Sequence, residues 1–102
     1  MRMLVLFDLP VKTKIQRKAA TSFRNFLLKD GYHMVQYSVY ARVCNGIDSV
    51  KMHENRLNAA IPNNGSVRLL VITEKQYESI RILVGNFVEE ELSGNDNQLS
   101  IY

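Results

Sequence analysis

The chain has 102 residues, is 46% hydrophobic and carries a formal net charge of +3. That length suits one hydrophobic core and one domain. No apolar run approaches the roughly 20 residues a membrane span needs, and the N-terminal apolar stretch, broken by Asp8, lacks a small-residue cleavage site. Cys44 is the only cysteine, which excludes an internal disulfide and a cysteine-based zinc site and points to a cytoplasmic protein. The charge is uneven. Residues 1–42 hold eight basic side chains against two acids, a balance of +6, whereas residues 43–102 hold five against eight, a balance of −3. A basic half calls for a polyanion, and an acidic remainder for a different surface.

Met3, Leu4, Val5, Leu6 and Phe7 form an unbroken apolar run, as expected of a strand covered on both faces; Pro10 cannot donate to a ladder and ends it. Asp8 is left at the strand's C-terminal lip, where a rigid element presents a catalytic or metal-binding oxygen. The alternative is that Asp8 caps the following turn. Thr13 and Gln16 have capping-box spacing and open a helix that runs to about Asp30, with Gly31 as its left-handed stop. Ile15, Ala19, Phe23, Phe26 and Leu27 form its inner stripe; Lys14, Arg17, Lys18 and Arg24 form a basic outer stripe, which by itself is as consistent with solvation as with nucleic acid.

Tyr32 through Val43 alternates as strand, either one kinked strand or two short ones split near Gln36 and Ser38. Parity assigns Val35, Tyr37, Val39 and Ala41 to one side and Gln36, Ser38, Tyr40 and Arg42 to the other. Asn45 and Gly46 mark a turn, Asp48 or Ser49 is placed to cap a second helix, and Val50, Glu54, Leu57 and Ile61 define its inner stripe, flawed by Glu54. Val67 through Thr73 reads as a central strand, Glu74 to Gln76 as a turn, and Ser79 to Val84 as a further strand or short helix ending at Gly85. Residues 86–102 differ in texture: an acidic Glu89-Glu90-Glu91, a turn-like stretch, then strand alternation over residues 98–102. Such a strand can complete its own sheet or join a partner's. The order predicts an α+β sandwich with both helices on one face of an antiparallel sheet. It divides into a domain at residues 1–85 and a tail at 86–102.

No nucleophile–base pair stands out. His33 and His53 lie on separate elements without zinc spacing, and His33 reads as a strand surface or edge residue. The glycines are scattered singly, so there is no phosphate cradle. Tyr32, Tyr37 and Tyr40 can stack on bases, although parity assigns Tyr37 to the core.

An ordered set of short motifs carries more information. Phe7-Asp8-Leu9-Pro10, Thr13-Lys14, Arg17-Lys18, Phe23-Arg24, Asp30-Gly31-Tyr32, Met34, Gln36, Ser38-Val39-Tyr40, Arg42, Gly65-Ser66-Val67-Arg68 and Thr73-Glu74-Lys75-Gln76 together resemble the CRISPR-associated protein two family. This is the small subunit of the spacer-acquisition complex, and the chain is most similar to members from type II systems. The resemblance implies a ferredoxin-like protomer and a symmetric homodimer, with Mg2+ or Mn2+ held between two copies of Asp8. It also implies a place between dimers of the CRISPR-associated integrase, on double-stranded spacer DNA and CRISPR repeat DNA. Two carboxylates facing each other across a two-fold axis make a better magnesium site than one. A metal-bound water there can attack a phosphodiester. Asp8 is thus the expected catalytic and metal residue. Lys12, Lys14, Arg17, Lys18, Arg24, Ser38 and Arg42 are the expected nucleic-acid contacts. Leu99, Ile101 and Tyr102 are the expected partner contacts. A free-standing metal-dependent endoribonuclease or endodeoxyribonuclease is the alternative.

Overall fold

The computed structural model describes residues 1–85; the expectations for residues 86–102, including Leu99, Ile101 and Tyr102, lie outside the described residues. The elements run β1 (Arg2–Asp8), α1 (Lys14–Lys29), β2 (His33–Gln36), β3 (Val39–Val43), α2 (Ile47–Ala60), β4 (Ser66–Ile72) and α3 (Glu74–Glu78). The four strands form one sheet in the order β2-β3-β1-β4 with every neighbouring pair antiparallel. Two β-α-β crossovers joined by the β2–β3 hairpin give this order, so the fold is ferredoxin-like, as the sequence predicts.

The apolar run of β1 is the middle of the molecule. Met3 and Val5 are fully buried beneath α1 and α2, where they meet Phe23, Leu27, Tyr32, Tyr40, Val50 and Leu57. Leu4 points to the opposite face, where it packs with Ala41 and with Tyr77 of α3. Both faces of β1 therefore need apolar side chains, which explains why the run does not alternate.

Helix α1 begins and ends as its sequence requires. Thr13 and Gln16 form a reciprocal capping box. At the other end the Tyr32 amide donates to Leu27 O and the Gly31 amide to Leu28 O, the Schellman arrangement, with Gly31 at φ +92°. Its inner line agrees in part with expectation: Phe23 and Leu27 are buried and Phe26 packs against the core, whereas Ile15 is 82% exposed and Ala19 is also exposed, with Ala20 half-buried in its place. Ile15 instead lines a shallow cleft with Leu9, Pro10, Ile61 and Pro62. In α2 the inner line is Val50, His53 and Leu57, so the Glu54 flaw disappears: Glu54 is exposed and His53 fills the place. Neither Asp48 nor Ser49 caps α2; Gly46 holds the N-cap position, and Asp48 lies in the first turn, where it favours the helix dipole.

Three further expectations need correction. Thr73 and Gln76 make a second capping box, so the segment read as a turn is α3. Of residues 79–84, read as a strand or short helix, Ser79 caps the end of α3 and 80–84 have neither structure. Among the described residues β4 is an edge strand of the sheet rather than a central one, and its exposure alternates because Val67, Leu69 and Val71 pack against the core while Ser66, Arg68 and Leu70 face the other way. Arg2 anchors α3: its Nε lies 3.0 and 3.1 Å from the Glu74 carboxylate oxygens and its guanidinium is 4.2 Å from the Tyr77 ring centroid.

Candidate functional site

Asp8 is the last residue of β1 and is exposed, at the margin of the sheet face that carries Leu4 and Leu6. Two loops converge on it. On one side Asp8 pairs with Ser66, and the preceding Gly65 has φ +96°. A Cβ on Gly65 would lie 2.7 Å from Asp8 O and 2.8 Å from Leu9 Cδ2, so only glycine allows the close backbone approach that sets the lip. Gly65→Ala is expected to cost roughly 1–3 kcal/mol, read as a lower Tm, and to move Asp8 as well. On the other side the Phe7 amide donates to Ser38 O at 3.0 Å, tying the β2–β3 turn to the residue before Asp8. Ser38 has φ +65° and is the only non-glycine residue with positive φ among the described residues. Non-glycine residues held in that region gather where surrounding structure over-determines them, functional sites included.

The loop leaving Asp8 is fixed by Arg17, whose Nη1 donates to Val11 O (3.1 Å) and Lys12 O (3.0 Å). Lys12, Lys14, Arg17 and Lys18 are all exposed around the start of α1, and its first turn contains no acidic residue. None of the ion pairs among the described residues engages Lys12, Lys14 or Lys18. Ser38 is thus tied to Phe7, the residue before Asp8, and Arg17 to Val11 and Lys12 in the loop that follows it.

Arg24 and Arg42 do not join that row. Arg24 Nε donates to the buried Tyr40 hydroxyl at 2.8 Å. Arg42 pairs with Met3, five residues along β1 from Asp8, about 17 Å at the ~3.3 Å rise of a strand. Its guanidinium donates to Asp30 O and Val43 O and lies 5.9 Å from the Tyr32 ring centroid. Both arginines hold elements together within the chain, a use that parity could not reveal.

Sequence reasoning missed the cluster around Arg42. The Asp30 carboxylate, buried at the C-terminal end of α1, accepts from His53 Nδ1 and from Arg56 Nη1, each at 2.8 Å. A carboxylate only accepts, so Nδ1 carries the proton, and Arg42 Nη1 at 3.3 Å from it is a packing contact. Burial raises the Asp30 pKa, but the hydrogen bonds and charges of His53 and Arg56 outweigh it and hold the carboxyl below its ordinary 3.8. Burial, then the Asp30 charge, pushes the Tyr32 hydroxyl up to about 12. The signal was present: His53 falls on the line of Val50 and Leu57 at helical spacing.

Among the described residues no cluster of three or more His, Cys, Asp or Glu could hold a metal. Asp8 with its neighbours is half of a hard-cation site at most, and fits such an ion only when a second carboxylate faces it. Nor is any described helix long and apolar enough to cross a membrane.

Comparison with known proteins agrees with the motif set. The family model described as CRISPR associated protein Cas2 matches residues 1–80. A protein named CRISPR-associated endoribonuclease Cas2 from Acidovorax ebreus (strain TPSY) is 51% identical over 102 residues, covering all of both chains. The protein of that name from Campylobacter jejuni is 42% identical over all of this chain and 71% of its own. The crystal structure of Streptococcus pyogenes Cas2 at pH 6.5 superposes with a TM-score of 0.63 at 22% identity, covering 82% of this chain and all of that one, a likeness of fold. On the family match and the full-length identity, this chain belongs to the Cas2 family of CRISPR-associated proteins.

Proposed function

We propose that the chain is the homodimeric, DNA-binding subunit of a CRISPR spacer-integration complex in the cytoplasm. There it bridges integrase dimers and supports spacer duplex and repeat DNA. One observation carries this reading: Lys12, Lys14, Arg17 and Lys18 crowd the positive end of the α1 dipole with no acid in the first turn to offset them. Like charge at that end costs stability, a few tenths of a kcal/mol to about 1 kcal/mol per residue. A polyanion repays that cost, and phosphate contacts need no sequence readout, which suits a protein that must accept arbitrary DNA.

The dimer is supported by the sheet face opposite α1 and α2. Leu6, Val43 and Leu70 remain 38–50% exposed there, an apolar surface α3 covers only in part. A two-fold axis that passes beside Asp8 at the margin of this face would bring the two carboxylates together. The alternating sequence of residues 98–102, with Leu99, Ile101 and Tyr102, and the acidic residues 89–91 suit attachment to a protein partner.

A second reading, metal-dependent phosphodiester hydrolysis, is favoured by the exposed Asp8 lip and by the endoribonuclease names of the relatives. The paired Asp8 carboxylates would hold Mg2+ or Mn2+, which supplies an activated water and neutralises developing charge. Ser38 and Arg17 stand by to orient phosphate. Asp8→Asn separates the two roles. Duplex affinity and Tm should be unchanged, while any hydrolysis of RNA or DNA in Mg2+ or Mn2+ should fall at least about a hundredfold. Equal hydrolysis by the variant would remove Asp8 from the chemistry. A wild type that fails to bind duplex would defeat the principal reading.

A further inference from the structure

Tyr37 is 88% exposed, while Tyr32 and Tyr40, the other two tyrosines open to base stacking on sequence grounds, are buried. Among the described residues it is the only exposed aromatic side chain, since Phe7 and Phe26 are half-buried and Phe23 and Tyr77 buried. Tyr37 and Ser38 form the two-residue turn that closes the β2–β3 hairpin beyond the Gln36–Val39 pair, so the ring stands at the hairpin tip in solvent. The next residue, Ser38, takes the left-handed conformation, and its carbonyl is held by the Phe7 amide at 3.0 Å. The backbone therefore holds the Tyr37 turn to the strand that ends at Asp8.

We infer that Tyr37 is a stacking platform for an unpaired nucleobase of the strand lying across the Asp8 lip. The inference rests on the nucleic-acid reading above and adds a substrate class to it. A phenol ring stacks on any base, so the contact is tolerant of sequence. A base inside a duplex already stacks on its neighbours and cannot offer its face. The nucleotide taken beside Asp8 is consequently single-stranded or frayed, while duplex lies along Lys12, Lys14 and Lys18. Gln36 and Ser38, exposed and adjacent to Tyr37 in the chain, add hydrogen-bonding groups for the base edge and phosphate.

The test uses the full chain and a ten-nucleotide single strand carrying the fluorescent base 2-aminopurine, with a plain duplex as control. Wild type should quench the fluorescence on binding. Tyr37→Ala should lose the quench and bind the single strand about 5- to 100-fold more weakly, Tyr37→Phe should retain both, and duplex affinity should be equal for all three. Quenching that survives in Tyr37→Ala, or that is missing in a wild type that binds duplex, overturns the stacking role alone. A wild type that binds neither probe overturns the nucleic-acid reading beneath it. Light scattering on the same samples covers the remaining role: if Tyr37→Ala falls from dimer to single-chain mass, Tyr37 is a subunit contact and the platform is overturned.

Discussion

Replacing Lys12, Lys14 and Lys18 together by Glu should lower duplex affinity at least about a hundredfold near 100 mM salt and flatten the salt dependence. The slope of log affinity against log salt should fall by roughly 0.9 for each phosphate contact removed. The same variant should be as stable as wild type or more stable. The three exposed lysines make no ion pair among the described residues that the change would break. Lys14→Glu, in the first turn of α1, would also favour its dipole by up to about 1 kcal/mol. Arg17 is left in place because it holds the loop carbonyls of Val11 and Lys12. Arg24 is left because its bond to Tyr40 serves the core. A solvated face would give another pattern, with affinity and salt slope both unchanged, so fluorescence anisotropy across a salt series decides between them.

The largest loss of stability is expected at Asp30. Asp30→Ala strands His53 and Arg56 without their acceptor beside the Arg42 guanidinium, at the junction of α1, β3 and α2. Losing the buried carboxylate that accepts from both side chains costs about 1.5–3 kcal/mol. For a chain of this size each kcal/mol lowers Tm by roughly 4–8 °C, so the variant should melt about 10 °C lower or more. Asp30→Asn adds a pH signature. The folded carboxyl lies below its ordinary 3.8, so its contribution is complete above that value and is lost as pH falls through the folded pKa. The stability gap between wild type and Asp30→Asn, from urea melts, should be full at pH 7 and shrink below about pH 4. A gap that stays constant with pH would mean the carboxylate charge is not what holds this junction.

Elements bounded by local chemistry were legible in the sequence. The apolar run and Pro10 define β1, the Thr13–Gln16 box and Gly31 bound α1, and the resulting order leads to the observed sheet. Reading failed where side-chain direction depends on a register that sequence alone does not fix. Tyr37 followed the parity of Val35 and Val39 on paper, but β2 ends at Gln36 and Tyr37 opens the two-residue turn to β3, so it stands in solvent. Tyr40 moved the opposite way, to full burial against Phe7 and Val5. The basic set divided for a related reason. Charge counts treat all arginines alike, whereas Arg24 and Arg42 sit where the core offers them a hydroxyl and carbonyls. Asp8 was legible because Pro10 bounds its strand, yet the loop that fixes it through Gly65 lies 57 residues away in the chain.

If two copies of this chain form one unit that carries duplex DNA to an integrase, gel filtration with light scattering, on the full chain mixed with the cognate integrase with and without spacer-length duplex, should show it. The expected result is a free species of twice the chain mass, and a larger complex that contains both proteins and retains the duplex. A single-chain mass at micromolar concentration, or a dimer that elutes apart from both integrase and duplex, would contradict it.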